Sequence, residues 1–184
     1  LIPVVDLHGH LQRAPACGAL LKAWLDWAKD ALIPTADDVR PELIGTLLPH
    51  VSVFNVAPDG TMGYSLAGGH HRELMQRDLR GWALMQSTPE GDREERLRRA
   101  RPILEFPCGM LTEGSLIRES GGRTSYTALV LPIRSDPATL PRKAHLAIDD
   151  RDGPRRNADD PVRTVPLADT VRYVDLGYGA PAPI

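Results

Sequence analysis

The chain lacks most of what would mark an enzyme, a membrane protein or a nucleic-acid binder. It has two cysteines in 184 residues. Cys17 and Cys108 lie too far apart in sequence to read as a metal-ligand pair. Two reduced thiols in a cytoplasmic protein are the simpler reading. No apolar run approaches the roughly 18–20 residues that a membrane span requires. The first residues, Leu1-Ile2-Pro3-Val4-Val5-Asp6, lack the basic start and long apolar stretch of a signal peptide. The formal net charge is −2, which argues against a general nucleic-acid binder or a polybasic membrane anchor. Gly-x-Ser-x-Gly, a Gly-rich phosphate loop ending in Gly-Lys-Ser/Thr and His-Glu-x-x-His are all missing. Catalytic triads assemble from distant positions, so these absences lower the odds of an enzyme without removing them.

What is present is ordinary globular material, with 42% hydrophobic and 25% charged residues. The length fits one domain with extensions, long enough to bury a core without staples. Residues 16–32 have helical periodicity. Leu20, Trp24, Trp27, Ala28 and Ala31 recur at three- and four-residue steps, and Leu21, Leu25 and Leu32 widen the stripe. Pro34 ends this helix. A linker over 35–42 feeds a short helix with Pro41 at its first position, where a missing donor costs nothing.

Residues 50–56 and 62–67 read as two strands joined through the turn Pro58-Asp59-Gly60. Residues 70–76 make about two helical turns. Thr88-Pro89-Glu90 begins a helix that runs to about Arg101, with Pro102 stopping it. Residues 103–117 and 126–134 read as long strands joined across Ser120-Gly121-Gly122-Arg123. A fifth strand, 144–148, follows a Pro-rich loop. Strands interrupted once by helices indicate an α+β arrangement.

The order and wording of residues 43–81 resemble the opening half of a PAS domain. The residues that carry this are Leu47-Leu48-Pro49-His50, the strand Val51 to Val56, Gly63-Tyr64-Ser65-Leu66-Ala67-Gly68 and Arg77-Asp78-Leu79-Arg80-Gly81. The closest likeness is to single-domain PAS-like proteins common in alphaproteobacteria, and it spans about 20–149. The resemblance implies a PAS-like five-stranded antiparallel sheet with helices on one face and an N-terminal flanking helix. It divides the chain into an N-terminal arm (1–15), flanking helix and linker (16–42), core (43–150) and C-terminal extension (151–184). The stretch 170–179 resembles the family's closing segment.

Several groups of residues invite chemical readings. Asp6-Leu7-His8-Gly9-His10 places two imidazoles on alternating positions. On a strand, both would face a metal, as at the opening of metal-dependent amidohydrolases. That fold is a barrel of about 250 residues, so a flexible arm is the favoured reading here. Gly68-Gly69-His70-His71 opens the short helix beside the expected pocket. The resemblance implies that a helix histidine there would be the axial ligand if haem were carried. One solvent-facing and one core-facing histidine is the commoner outcome. Flavin-binding relatives need Asn-Cys-Arg-Phe-Leu-Gln, which is absent, and Cys108 reads as a buried structural thiol. The basic run 93–101 pairs Glu94 with Arg98 and Glu95 with Arg99 at i,i+4, which marks a solvated helix face.

These readings lead to a cytoplasmic bacterial signalling module without activity of its own, binding a small ligand, a partner protein or both. Its cofactor is unknown. The tail after Asp149 is too short for an output domain, so a partner would supply the output. Expected pocket residues are Tyr64, Leu66, His71, Leu74, Trp82, Met85, Met110, Tyr126 and Ala128. The broad apolar stripe of the first helix leads to an expected homodimer through that helix, unless the tail near 173–176 covers its second face. The alternatives are a hydrolase built on the N-terminal histidines and a ligand-free structural adaptor.

Overall fold

The computed structural model describes residues 2–29, 31–59, 61–106, 108–136, 143–150 and 160–179. The expected turn glycine Gly60, the Pro-rich loop at 137–142 and the tail at 151–159 lie outside these residues.

The chain opens with β1 (Ile2–Pro3), a 3-10 turn (Val4–Asp6) and α1 (Leu7–His10), followed by α2 (Pro15–Ala28). Two 3-10 segments, Ala36–Asp38 and Pro41–His50, lead into β2 (Val51–Val56) and β3 (Met62–Leu66). Next come α3 (Gly69–Met75), 3-10 turns at Leu84–Ser87 and Glu90–Asp92, α4 (Arg93–Ala100) and α5 (Pro102–Glu105). The strands β4 (Gly109–Arg118), β5 (Arg123–Ile133), β6 (Lys143–Asp150), β7 (Val162–Thr164) and β8 (Thr170–Asp175) complete the order.

The centre is the expected antiparallel sheet of five strands, in the order β4-β5-β6-β2-β3. It is extended beyond β4 by β8, which runs antiparallel to β4, and by β1, which runs parallel to β8. β7 also pairs with β4. Pleating sends alternate residues to opposite faces. Leu111, Leu129, Leu131 and Ala147 join a core with α2. Leu116, Tyr126, Ala128, Val130 and Ile148 join a second core with residues of α3 and α4. Helices therefore cover both faces, with the N-terminal helix packed on the face opposite α3 and α4.

The α2 layer is tightly fixed. Leu20, Leu21, Trp24 and Trp27 are buried. Trp24 Nε1 donates to the Pro132 carbonyl at 2.9 Å, and Trp27 Nε1 to the Arg40 carbonyl at 3.2 Å. The first turn of α2 is closed from across the sheet. Asp149 on β6 accepts the Ala16 and Cys17 amides at 3.0 and 2.8 Å. A carboxylate at a helix N-terminus satisfies otherwise orphaned donors and meets the positive end of the dipole. Burial, with Asp149 alongside, pushes the Cys17 thiol far above its usual range. Burial also pushes Cys108 up to about 12. Both are inert packing groups.

Four expectations need correction. The first helix stops at Ala28, where Lys29 takes a positive φ of 48°, rather than at Leu32. The chain must turn there. Ile33 enters the core, Ala36 donates to the Arg134 carbonyl and Arg134 to the Pro34 carbonyl. The N-terminal segment is no free arm, because β1 joins the sheet and Leu7 and Leu11 are buried. Residues 102–105 form a helix, so the strand expected from Ile103 begins at Gly109. Pro102 starts this helix from its first position instead of merely stopping the one before. The surplus face of α2 is mostly covered by the chain itself, with Val174 and Leu176 of the tail in the same core. Leu25 and Leu32 remain 37% and 48% exposed. Among the described residues no helix is long and apolar enough to cross a membrane.

Candidate functional site

On the face away from α2 the layer of short helices leaves a cavity of about 110 Å³. Its floor is the sheet. Phe54, Met62 and Tyr64 come from β2 and β3, Met110, Thr112 and Leu116 from β4. Tyr126, Ala128 and Val130 come from β5, Leu146 and Ile148 from β6. Within each strand these residues keep even spacing, as one sheet face requires. His71, Leu74 and Met75 of α3 form one wall, with Leu84 and Met85 beside them. Arg96, Arg99 and Ala100 of α4 form the other, closed by residues 165–171.

α3 reaches this position because Gly68 lets the chain pass against β2. The Gly68 amide donates to the Ser52 hydroxyl at 3.1 Å. A Cβ at Gly68 would collide with the carbonyl oxygens of Pro49 and Val51, so no other residue fits. Three residues on, His71 turns inward and is 4% exposed. Among the described residues neither of its ring nitrogens has a hydrogen-bond partner. Burial, aided by the charges of His70 and His50, lowers its pKa to about 3, so the ring is neutral. Its edge faces Tyr64, with ring centroids 6.2 Å apart. His70 stays at the rim. It donates from Nε2 to Asp150 at 3.0 Å and stacks on His50 with centroids 4.2 Å apart.

α4 supplies the polar groups of the opposite wall. Arg96 is half-buried, and one terminal nitrogen donates to the carbonyls of Val165 and Pro166 at 2.7 and 2.6 Å. Its Nε is buried with no partner among the described residues. Burial lowers its pKa. Arg99 is committed differently. Its Nε donates to Glu95 at 2.6 Å and its terminal nitrogen to the Ala168 carbonyl at 2.9 Å. Glu95 also holds Arg98 at 2.6 Å, and the two arginines hold the carboxylate down to about 2. Of the pairs expected along this helix, Glu95–Arg99 forms, and Glu95 also takes Arg98 at i,i+3.

The structure brings seven expected residues to the cavity: Tyr64, His71, Leu74, Met85, Met110, Tyr126 and Ala128. It places two elsewhere. Leu66 lies at the end of edge strand β3 and is 54% exposed, because the β2–β3 register shifts between Val53 and Phe54. Trp82 packs outside the cavity under the Arg77 guanidinium, 4.1 Å from its ring centroid. Its loop instead covers the β3 edge, with the Tyr64 amide donating to the Trp82 carbonyl at 3.0 Å.

Sequence reasoning does not find Arg96 and Arg99. Their helix reads as a solvated charged face, and only its docking against residues 165–168 turns two of its arginines inward. Strand alternation would have found Phe54, Leu146 and Ile148. The paired-imidazole reading at the N-terminus fails on geometry. His8 and His10 lie on a helix, where positions two apart point about 200° away from each other. Both are exposed. Among the described residues no cluster of three His, Cys, Asp or Glu side chains is placed to hold a metal. A haem macrocycle does not fit a space of about 110 Å³, although His71 has the right chemistry for an axial ligand.

The profile of the PAS domain family matches residues 12–145. The chain belongs to the PAS domain family. The match begins before α2 and ends in β6, so it includes the helix that covers the second sheet face and all or part of each of the five central strands. It makes this PAS domain a member of a family of sensory and interaction modules. No curated protein matches the chain.

Proposed function

We propose that this PAS domain is a non-enzymatic sensory module of bacterial cytoplasmic signalling. A small molecule occupies the cavity between the sheet and α3 and α4, and a partner protein reads the occupancy. The observation that carries this is His71. An imidazole enclosed in an apolar wall with both nitrogens unpaired is costly, and folding alone gives no reason to keep it. A ligand that accepts from one nitrogen or donates to the other removes the cost. Tyr64, His71, Leu74, Met85, Met110, Tyr126 and Ala128 form the contact surface. Signalling follows if the ligand binds two arrangements of the helical layer unequally, since equal binding shifts nothing.

Self-association through α2 belongs to the same reading. It rests on the exposed Leu25 and Leu32, because the rest of that stripe serves the chain's own core.

The test is native mass spectrometry of freshly purified protein beside an Ala128→Met variant, which fills the cavity from β5. A bound mass in the wild type that disappears in the folded variant is the expected result. A wild type without bound mass, whose melting no small molecule shifts, would sink the proposal and favour a ligand-free adaptor.

A further inference from the structure

We propose that the cavity takes a small organic monocarboxylate, with its apolar body over the sheet and its carboxylate facing Arg96. The inference deepens the ligand-sensing reading above and rests on it.

Three observations converge. The first is charge. Arg98, Arg99 and Arg172 each meet a carboxylate, at 2.6, 2.6 and 3.3 Å, whereas Arg96 forms no ion pair among the described residues. Arg96 is anchored to two backbone carbonyls, which fix its position without neutralising it, and Asp92, four residues earlier, attracts it from beyond ion-pair distance. A guanidinium partly withdrawn from water favours an anion, and its planar fork suits a carboxylate. The second is the orphaned donor. Arg96 Nε is buried and unpaired in the same wall, so a carboxylate oxygen there would gain a charge-assisted hydrogen bond that the free protein lacks. The third is size and lining. Floor and roof are almost wholly aliphatic and aromatic, with polar side-chain groups from Tyr64, Tyr126, Thr112 and His71. A dry cavity of about 150 Å³ accepts benzene. A space of about 110 Å³ therefore takes a short branched or cyclic body. His71 offers a hydrogen bond to a second polar group, so a hydroxy or oxo substituent would add affinity.

The experiment compares acids with neutral molecules of the same shape: isovalerate with isovaleramide and isoamyl alcohol, and benzoate with benzamide. Binding is read by calorimetry and by melting shift on the wild type, Arg96→Gln, Arg96→Lys and Ala128→Met. Each acid should bind about tenfold or more tightly than its neutral counterpart, the discrimination expected of one charge-assisted hydrogen bond. Arg96→Gln should abolish that preference and leave amide binding unchanged. Should Arg96→Gln fail to fold, Arg96→Lys keeps the charge and deletes the unpaired Nε, and it should weaken the acids selectively. Ala128→Met should block every probe. Amides and alcohols binding as well as acids would overturn the carboxylate and leave the ligand-sensing reading standing. So would acid binding that Arg96→Lys weakens no more than amide binding. If neither acids nor neutral probes bind at millimolar concentration, the carboxylate proposal falls, and the native mass spectrum of the wild type decides the ligand-sensing reading separately.

Discussion

The two faces of one sheet are built to different standards. Under α2 the packing is closed. Trp24, Leu20, Leu21 and Leu131 are fully buried, both tryptophan N–H groups have carbonyl partners, and Asp149 completes the helix start. Under α3 and α4 a cavity remains, and among the described residues both ring nitrogens of His71, Arg96 Nε and Trp82 Nε1 are buried without a partner, against His145 Nδ1 on the α2 side. The same strands supply both faces, so strand quality does not explain the difference. The covering layers do. One is built on a fourteen-residue helix, with Leu7 and Leu11 near α1 and Ile44 of the 3-10 segment Pro41–His50 joining its core, and the other is assembled from pieces of seven, four, three, eight and four residues. A long amphipathic helix can seal a face. Short pieces leave gaps and have fewer internal bonds to break, which is where rearrangement on binding is cheapest.

Acid should disturb both faces and produce the largest effect. His145, against Trp27 on the α2 face, is lowered to about 4 by burial, and His71 on the other face to about 3. In each case the unfolded chain takes up the proton first. Stability is therefore whole above about pH 6.5 and falls as the pH drops toward 4, by up to about 1.4 kcal/mol per pH unit for each imidazole. Urea melts from pH 7 to 4 should show this slope, and His145→Gln and His71→Gln should each flatten it. A slope untouched by either variant would assign acid sensitivity to other groups.

Among substitutions, Trp24→Ala should cost about 3–5 kcal/mol, because it removes a large buried ring and leaves the Pro132 carbonyl unpaired. Asp149→Ala should cost about 2–3 kcal/mol by uncapping α2. Both are read from denaturant melts, and a loss below about 1 kcal/mol for either would break the picture of α2 as a locked layer.

The most direct comparison is a matched pair on neighbouring strands. Ala147→Met pushes into the α2 face and should cost about 1–3 kcal/mol through overpacking. Ala128→Met enters the cavity and should cost less than about 1 kcal/mol. Equal costs would mean that the two faces are packed alike. The smallest effect belongs to Leu25→Glu, within about 0.5 kcal/mol for an exposed position. Sedimentation of that variant separates a surface leucine from an interface. A dimer that becomes a monomer makes α2 an interface as well as a core layer, and unchanged sedimentation leaves it a core layer alone.

Much of the fold is legible in the sequence. The stripe through Leu20, Trp24 and Trp27, the strand-like runs of β2, β3, β5 and β6, and the placement of Pro41 are local patterns that follow from backbone geometry. Strand parity likewise carries Tyr64, Met110, Tyr126 and Ala128 to the cavity face. Leu66 shares that parity with Tyr64 but lies past a register shift, which only pairing with β2 reveals. Ile103 reads as a strand residue, yet Pro102 opens a helical turn that packs against the sheet.

The sequence by itself determined the layers: which residues are apolar, at what period, and where proline and glycine interrupt them. Tertiary structure alone decided how the layers close. Asp149 reaches α2 across more than 130 residues, Arg96 meets carbonyls about 70 residues away, and β8 returns to pair with β4. Such partners leave no periodic trace. A hydrogen bond between distant segments depends on the path of the whole chain, while a helix or strand depends on its neighbours in sequence. The cavity belongs to the second kind of decision, because a space is defined by what the surrounding elements fail to fill together.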